Sequence, residues 1–290
     1  MPPLTLREFS RRCQKPDHDR IGNWMARRVS RPLALRITWV LAPWGISAHA
    51  VTIAAWACAG AAAAAMAFGT HAGWIAGALL LQLWYLLDHV DGQLARFHGT
   101  SSLCGVQLDY LMHHTTTLLV PLGLSYGLSL RQNDPRWLLA GVVFGLGLLL
   151  ITLQHDTRYK AFVVRLKRLR GQLLVEGGGG GRPEPTPPVP RDPLRFASWA
   201  AHKACEMHVV MNALTVLAVG QWIAGDVSLL AGRLYVGMMA LLAALVAVGD
   251  IARSMRQGAA EQEFRRWYRP APGHELTYVE GWWVVKKDEE

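Results

Sequence analysis

The chain has 290 residues, 51% of them hydrophobic and 18% charged, with a formal net charge of +9. That is too apolar for an ordinary soluble chain and points to an all-α, polytopic membrane protein. No basic patch with interleaved aromatics forms a nucleic-acid module, and the scattered Cys13, Cys58, Cys104 and Cys205, without a C-x-x-C pair, suggest neither a disulfide framework nor a zinc finger.

Residues 1–46 read as a cytoplasmic and interfacial segment. Its start lacks the apolar core and cleavage site of a signal peptide, so this end is expected to stay inside. Ile21, Trp24, Met25 and Val29 make an apolar face beside Arg20, Arg27, Arg28 and Arg31, the pattern of an amphipathic helix lying in the membrane interface. Pro32 is placed to begin a helical turn, and Pro43-Trp44-Gly45 to end one.

Six transmembrane helices follow, at about 47–69, 73–96, 104–130, 136–155, 203–224 and 229–252. The first is rich in alanine, hence weakly hydrophobic and better suited to contact with other helices than with lipid. Residues 47–170 hold the first four, the fourth running into a basic extension. Residues 171–196 form a Gly/Pro-rich cytoplasmic linker whose composition cannot make a packed core. Residues 197–256 carry the last two helices, and 257–290 form a cytoplasmic tail in which Trp267, Tyr268, Trp282 and Trp283 suit interfacial anchoring or a small appendage. With both ends inside, all but three of the 30 Lys and Arg fall on the cytoplasmic side, the exceptions being Arg131, Arg136 and Arg233.

Chemistry concentrates in residues 88–113. At helical spacing Asp88, Asp91, Gly92, Ala95 and Arg96 share one stripe, and Gly105, Asp109 and His113 make a second, each one turn from the last. Two helices joined by a loop at 97–104 are expected to pack antiparallel with the stripes face to face. Each Asp near a bilayer centre costs about 2.5–3.5 kcal/mol even on a lenient insertion scale, so three together imply a compensating cation. Hard divalent cations take oxygen ligands and bridge carboxylates to phosphates, while Gly92, Ala95 and Gly105 leave room for a group to approach the backbone. His114 lies off the second stripe and His89 faces away from the first. His98 is expected in the connecting loop, and all three read as packing rather than ligand residues.

The run Asp88-x2-Asp91-Gly92-x2-Ala95-Arg96-x8-Gly105-x3-Asp109-x3-His113 resembles the signature of the CDP-alcohol phosphotransferases, D-x2-D-G-x2-A-R-x8-G-x3-D-x3-D, at every fixed position but the last. The resemblance implies that an acceptor hydroxyl attacks the phosphorus bearing the alcohol of a CDP-alcohol, with CMP leaving. It implies magnesium or manganese on Asp88, Asp91 and Asp109, and a nucleotide and diphosphate site at Gly92, Ala95, Arg96 and Gly105. His113 takes the place of the Asp assigned as general base or further metal contact. Imidazole accepts a proton well near neutral pH but suits a hard metal less than carboxylate does. A base at His113, an orienting role, and a disabled or repurposed site therefore all stay open.

Arginines bind phosphate bidentately, so Arg158 and Lys160, after the fourth helix, are candidates for the acceptor site, with Arg27, Arg28 and Arg31 behind them. Attraction to anionic lipid explains the same residues without a substrate. The expected donor is CDP-diacylglycerol or another CDP-alcohol, and the acceptor is unspecified. The expected location is a bacterial inner membrane with the site facing the cytoplasm; a homodimer is implied by the resemblance alone. The rival readings are a non-catalytic relative that binds metal and CDP-lipid, and a cation-coupled transporter. The transporter needs the acids but not Gly92, Ala95, Arg96 and Gly105.

Overall fold

The computed structural model describes residues 5–15, 18–175, 188–224 and 227–287, and it divides the chain into two compact units. The first comprises residues up to 149 together with the stretch ending at 245. The second comprises residues from 150 into the linker together with those from 246 onward.

In the first unit, α1 (Leu6–Cys13) opens with a capping box in which Thr5 and Glu8 satisfy each other's backbone amides. A π-helical turn at Ala26–Ser30 runs directly into α2 (Arg31–Leu41), with Pro32 in its first turn. A 3-10 turn at Ala42–Trp44 ends at Gly45, whose φ of +68° suits glycine. The N-terminal segment thus holds α1 and, after a break, a helical run from the π turn through α2. Met25 faces inward, accepting from Asn212 Nδ2 at 3.2 Å, whereas Trp24 is exposed.

Next come α3 (Ala48–Ala67), α4 (His71–His98), α5 (Leu103–Gln132) and the membrane portion of α6 (Arg136–Lys167). The alanine-rich α3 packs along both α4 and α5, as its weak hydrophobicity predicts. Its Ala55, Ala59, Ala62 and Ala63 are buried, and neighbouring glycines let the backbones meet. A Cβ at Gly123 would lie 2.2 Å from the Ala63 carbonyl oxygen, and one at Gly127 2.3 Å from that of Met66. The motif stripes of α4 and α5 face each other as expected, but without close backbone packing between the two helices. α4 and α5 do not pack closely on each other; α3 lies against both, and a cavity opens between the motif stripes. His98 is the last residue of α4 rather than part of the loop, and Gly99 (φ +65°) ends the helix.

The fifth predicted segment is broken at Cys205 and Glu206 into α7 (Pro193–Ala204) and α8 (Met207–Ala224). α8 packs on α4 through a polar contact in which Gln82 Nε2 donates to Asn212 and Thr215 at 3.2 and 3.0 Å. α9 (Val227–Gln257) completes the bundle.

The second unit is not purely helical, which corrects the all-α expectation locally. β1 (Leu169–Arg170), β4 (His274–Val279) and β5 (Trp282–Lys287) form a sheet in the order β1-β5-β4, while β2 (Leu174–Val175) pairs with β3 (Tyr268–Arg269). α10 (Ala259–Trp267) contributes Phe264, and the Arg165 guanidinium lies over Phe264 and Trp283 at 4.7 and 4.0 Å. Within the stretch 171–196 expected as a linker, Leu174–Val175 is strand and α7 starts at Pro193; residues 176–187 lie outside the described residues.

Among the described residues, α3, α6, α8 and α9 contain stretches long and apolar enough to cross a membrane. α4 and α5, with 28 and 30 residues, have the length but carry the polar motif.

Candidate active site

The motif residues line a cavity of about 470 Å³ in the first unit. α4 supplies Asp88, Asp91, Gly92, Ala95 and Arg96, and α5 supplies Gly105, Asp109 and His113. All eight signature positions therefore come to one place. The spacing that puts them on two stripes is local, and α3 holds the two helices at a separation that leaves the space between them open.

His113 Nε2 lies 2.9 Å from Asp88 Oδ1 and 3.3 Å from Asp109 Oδ1, bridging the two helices. The ring meets Trp84 edge-on, with centroids 5.6 Å apart. Asp91 is buried and accepts from Thr52 Oγ1 of α3 at 2.6 Å. The Arg96 side chain folds back over Gly92: a Cβ there would lie 3.2 Å from Nη1. Its Nε donates to the Cys13 carbonyl at 2.6 Å. Gly105 sits in the first turn of α5, where its amide donates to the capping Ser102 hydroxyl at 3.1 Å. A Cβ on Gly105 would come within 3.3 Å of His49 Nε2, so glycine keeps this side of the cavity clear. The free amides of the α5 N-terminus add a partial positive charge suited to an anion.

The donor set fits a hard divalent cation. One ligand atom each of Asp88, Asp109 and His113 lie within 4.8 Å of one another, and carboxylate oxygens dominate the cluster.

Other expected residues fall elsewhere. Arg158 lies in the second unit, where Nη1 pairs with Glu263 at 3.1 Å, and Lys160 is exposed there. Neither is among the residues lining the cavity. His114 is off the cavity, with Nδ1 2.6 Å from the Tyr110 carbonyl of its own helix. His89, expected to face away, does reach the cavity wall, with Nδ1 2.8 Å from the Tyr85 carbonyl.

Sequence reasoning missed two contributions. His49 and Thr52, one turn apart on α3, face the cavity, and only a long-range contact distinguishes them from other polar residues in an alanine-rich helix. The N-terminal arm lines another wall with Gln14, Lys15 and His18. It is held by Phe9 against Phe97, with centroids 4.5 Å apart, and by the Arg96 bond to Cys13. The T-x-x-E capping box at residues 5–8 was a legible signal for α1.

The apolar helices point to an integral membrane protein, and its cavity is lined by carboxylates. A family model described as CDP-alcohol phosphatidyltransferase matches residues 46–170; the enzymes of that family transfer substituted phosphate groups and depend on a divalent metal. The solved structure of Mycobacterium tuberculosis phosphatidylinositol phosphate synthase (PgsA1) with CDP-DAG bound shares the fold, with a TM-score of 0.52 at 17% identity over 78% of this chain and 92% of that one. No curated protein matches the sequence.

Proposed function

We propose that the protein transfers a phosphatidyl group from CDP-diacylglycerol to an acceptor hydroxyl, releasing CMP, in phospholipid biosynthesis. The observation that carries this is the convergence of Asp88, Asp91, Asp109 and His113 with Arg96 and the small residues Gly92, Ala95 and Gly105 on one cavity. The similar structure with CDP-DAG bound supports the donor.

In this reading Asp88, Asp91 and Asp109 hold magnesium or manganese. Bound there, the cation neutralises the diphosphate and the charge that develops on departing CMP. Arg96 and the α5 N-terminus bind the remaining phosphate oxygens, and Gly92 and Gly105 admit the nucleotide. The acceptor oxygen attacks the phosphorus bearing the alcohol, the phosphorus–oxygen bond to CMP breaks, and the hydroxyl proton passes to the His113 imidazole. The resulting imidazolium stands between Asp88 and Asp109, which stabilise it. A cation-coupled transporter gains no support from Gly92, Ala95, Arg96 and Gly105, which shape a nucleotide site.

With α4 and α5 counted as membrane-crossing, the bundle has six transmembrane helices in a bacterial inner membrane. The motif then opens at the cytoplasmic face, where CDP-linked substrates are found, and the protein acts as a homodimer. The test is CMP release from purified protein with CDP-diacylglycerol, magnesium and a panel of acceptors. Activity should vanish with chelator, return with magnesium, and be lost in Asp91→Asn and His113→Ala. His113→Asp, which restores the family pattern, should retain measurable turnover. Activity surviving in His113→Ala refutes the base assignment. Metal and CDP-lipid binding with no turnover for any acceptor would identify a non-catalytic relative.

A further inference from the structure

The helix α7 carries an apolar side that is left uncovered among the described residues. Asp192 caps the helix, accepting from the Arg195 amide at 2.9 Å, and Pro193 opens its first turn. Arg195, Ser198 and His202 fall at i, i+3 and i+7 and make a polar stripe. Leu194, Phe196, Ala197, Ala200, Ala201 and Ala204 take the opposite side, with Trp199 and Lys203 at one border. None of the 12 residues is buried. Leu194 is 83% exposed and Phe196 46%, and the Phe196 and Trp199 rings stand 5.7 Å apart. A helix of this length is marginal in water by itself, so it needs a surface to lie on.

The helix that follows sets the level of α7. Only Cys205 and Glu206 separate it from α8, whose 18 residues are apolar enough to cross a membrane. At a rise of about 1.5 Å per residue α8 is about 27 Å long, against a hydrocarbon core of about 30 Å. It has no turn to spare, so Met207 stands at the hydrocarbon edge. The break is itself polar: Lys203 Nζ lies 2.6 Å from Glu206 Oε1, and His208 Nε2 3.5 Å from Glu206 Oε2. Such charges are costly inside the hydrocarbon and stable at its boundary. α8 starts afresh from Glu206, whose carbonyl accepts from the Val209 and Val210 amides.

We infer that α7 lies in the membrane interface, its Phe196 side in the acyl boundary and its Arg195, Ser198 and His202 stripe toward headgroups and water. The bilayer is the occupant because the uncovered side begins where α8 leaves the hydrocarbon. Arg191, Arg195 and Lys203 stand at the same level and complement anionic headgroups. Asp192 is engaged in the cap and Glu206 in the ion pair with Lys203. Trp199, at the border of the two sides, suits the headgroup level. This placement also accounts for the break at Cys205 and Glu206. A continuous helix would carry Leu194 and Phe196 away from the lipid by about 1.5 Å per residue, whereas a broken one can lay them along the surface. The inference stands apart from the transferase reading and needs only that α8 crosses the bilayer.

The experiment places nitroxide spin labels on α7 of the full-length protein in nanodiscs of phosphatidylcholine and phosphatidylglycerol. Cys104→Ser removes the exposed thiol, and the signal of that parent is subtracted. Phe196→Cys and Ala197→Cys report the apolar side, Arg195→Cys and Ser198→Cys the polar stripe; all four side chains are exposed, so none of the labels displaces packing. Collision with oxygen, which concentrates in lipid, is compared with collision with a water-soluble nickel chelate. The logarithm of the oxygen-to-nickel ratio should be positive at Phe196 and Ala197 and negative at Arg195 and Ser198. Nickel favoured at all four positions places α7 in water and overturns the inference. Exclusion of both reagents from Phe196 and Ala197 shows that protein covers this side, as a second copy of the chain would, and overturns it too. A second measurement needs no label: in Phe196→Glu the amides of residues 193–204 should lose hydrogen-exchange protection in nanodiscs while the melting temperature and the α8 amides stay as in wild type. Protection equal to wild type overturns the placement.

Discussion

Thr52→Val isolates the support that α3 gives to the motif. The change replaces one hydroxyl by a methyl of similar shape, removing a 2.6 Å donor from the buried Asp91 carboxylate. Thr52 Oγ1 also lies 3.1 Å from the Ala48 carbonyl. Its single proton serves one acceptor at a time, and the shorter contact and the greater charge both favour Asp91. A hydrogen bond to a charged group contributes about 1.5–3 kcal/mol. If that support orients Asp91 toward the cation, kcat/KM should fall by about tenfold to 150-fold, at 1.36 kcal/mol per decade. Thr52→Ser keeps the hydroxyl and should recover most of the loss. The assay is CMP release titrated with magnesium: the Val variant should need more magnesium for half-maximal rate, a shift that loss of packing alone does not produce. Activity within about twofold of wild type, or a loss that tracks the melting temperature at unchanged magnesium dependence, refutes the reasoning.

Three further outcomes are expected. Gly123→Ala forces a Cβ to 2.2 Å from the Ala63 carbonyl, against backbone that cannot give way, and should cost about 1–3 kcal/mol in thermal unfolding; Gly60→Ala, with nothing within 4 Å, should be neutral or slightly stabilising. Maleimide at pH 8 should label the exposed Cys104 readily and Cys13 hardly at all. Cys13 is fully buried and burial pushes its thiol up to about 11, so its reaction in folded protein should keep rising as pH climbs toward that value. Arg165→Ala removes the cation lying over Phe264 and Trp283 as well as the pairing with Glu261. It should weaken protection of residues 274–287 in hydrogen exchange by about 0.5–2 kcal/mol.

The helical bundle and the site's inner ring were legible because both rest on local periodicity. Asp88, Asp91, Gly92, Ala95 and Arg96 share a stripe whatever the helix packs against, and runs such as Ala48–Ala67 announce their length and apolarity directly. Even the order of packing was partly readable, since an alanine-rich helix buries little in lipid and invites close neighbours. The break at Cys205 and Glu206 was not, because a run from 203 to 224 has no local feature that forbids continuous helix.

By itself, the sequence determined the membrane class, the spacing of the acidic motif and the departure at His113. The tertiary structure decided which distant residues meet that motif. Thr52 reaches Asp91 across 39 residues and Arg96 reaches Cys13 across 83. It also decided that Arg158 pairs with Glu263, and that residues 169–175 find strand partners about a hundred positions along the chain. Periodicity reports which side of its own element a residue occupies. Which surface it then faces depends on packing and loop closure over the whole chain, and those contacts leave no mark in any single local window.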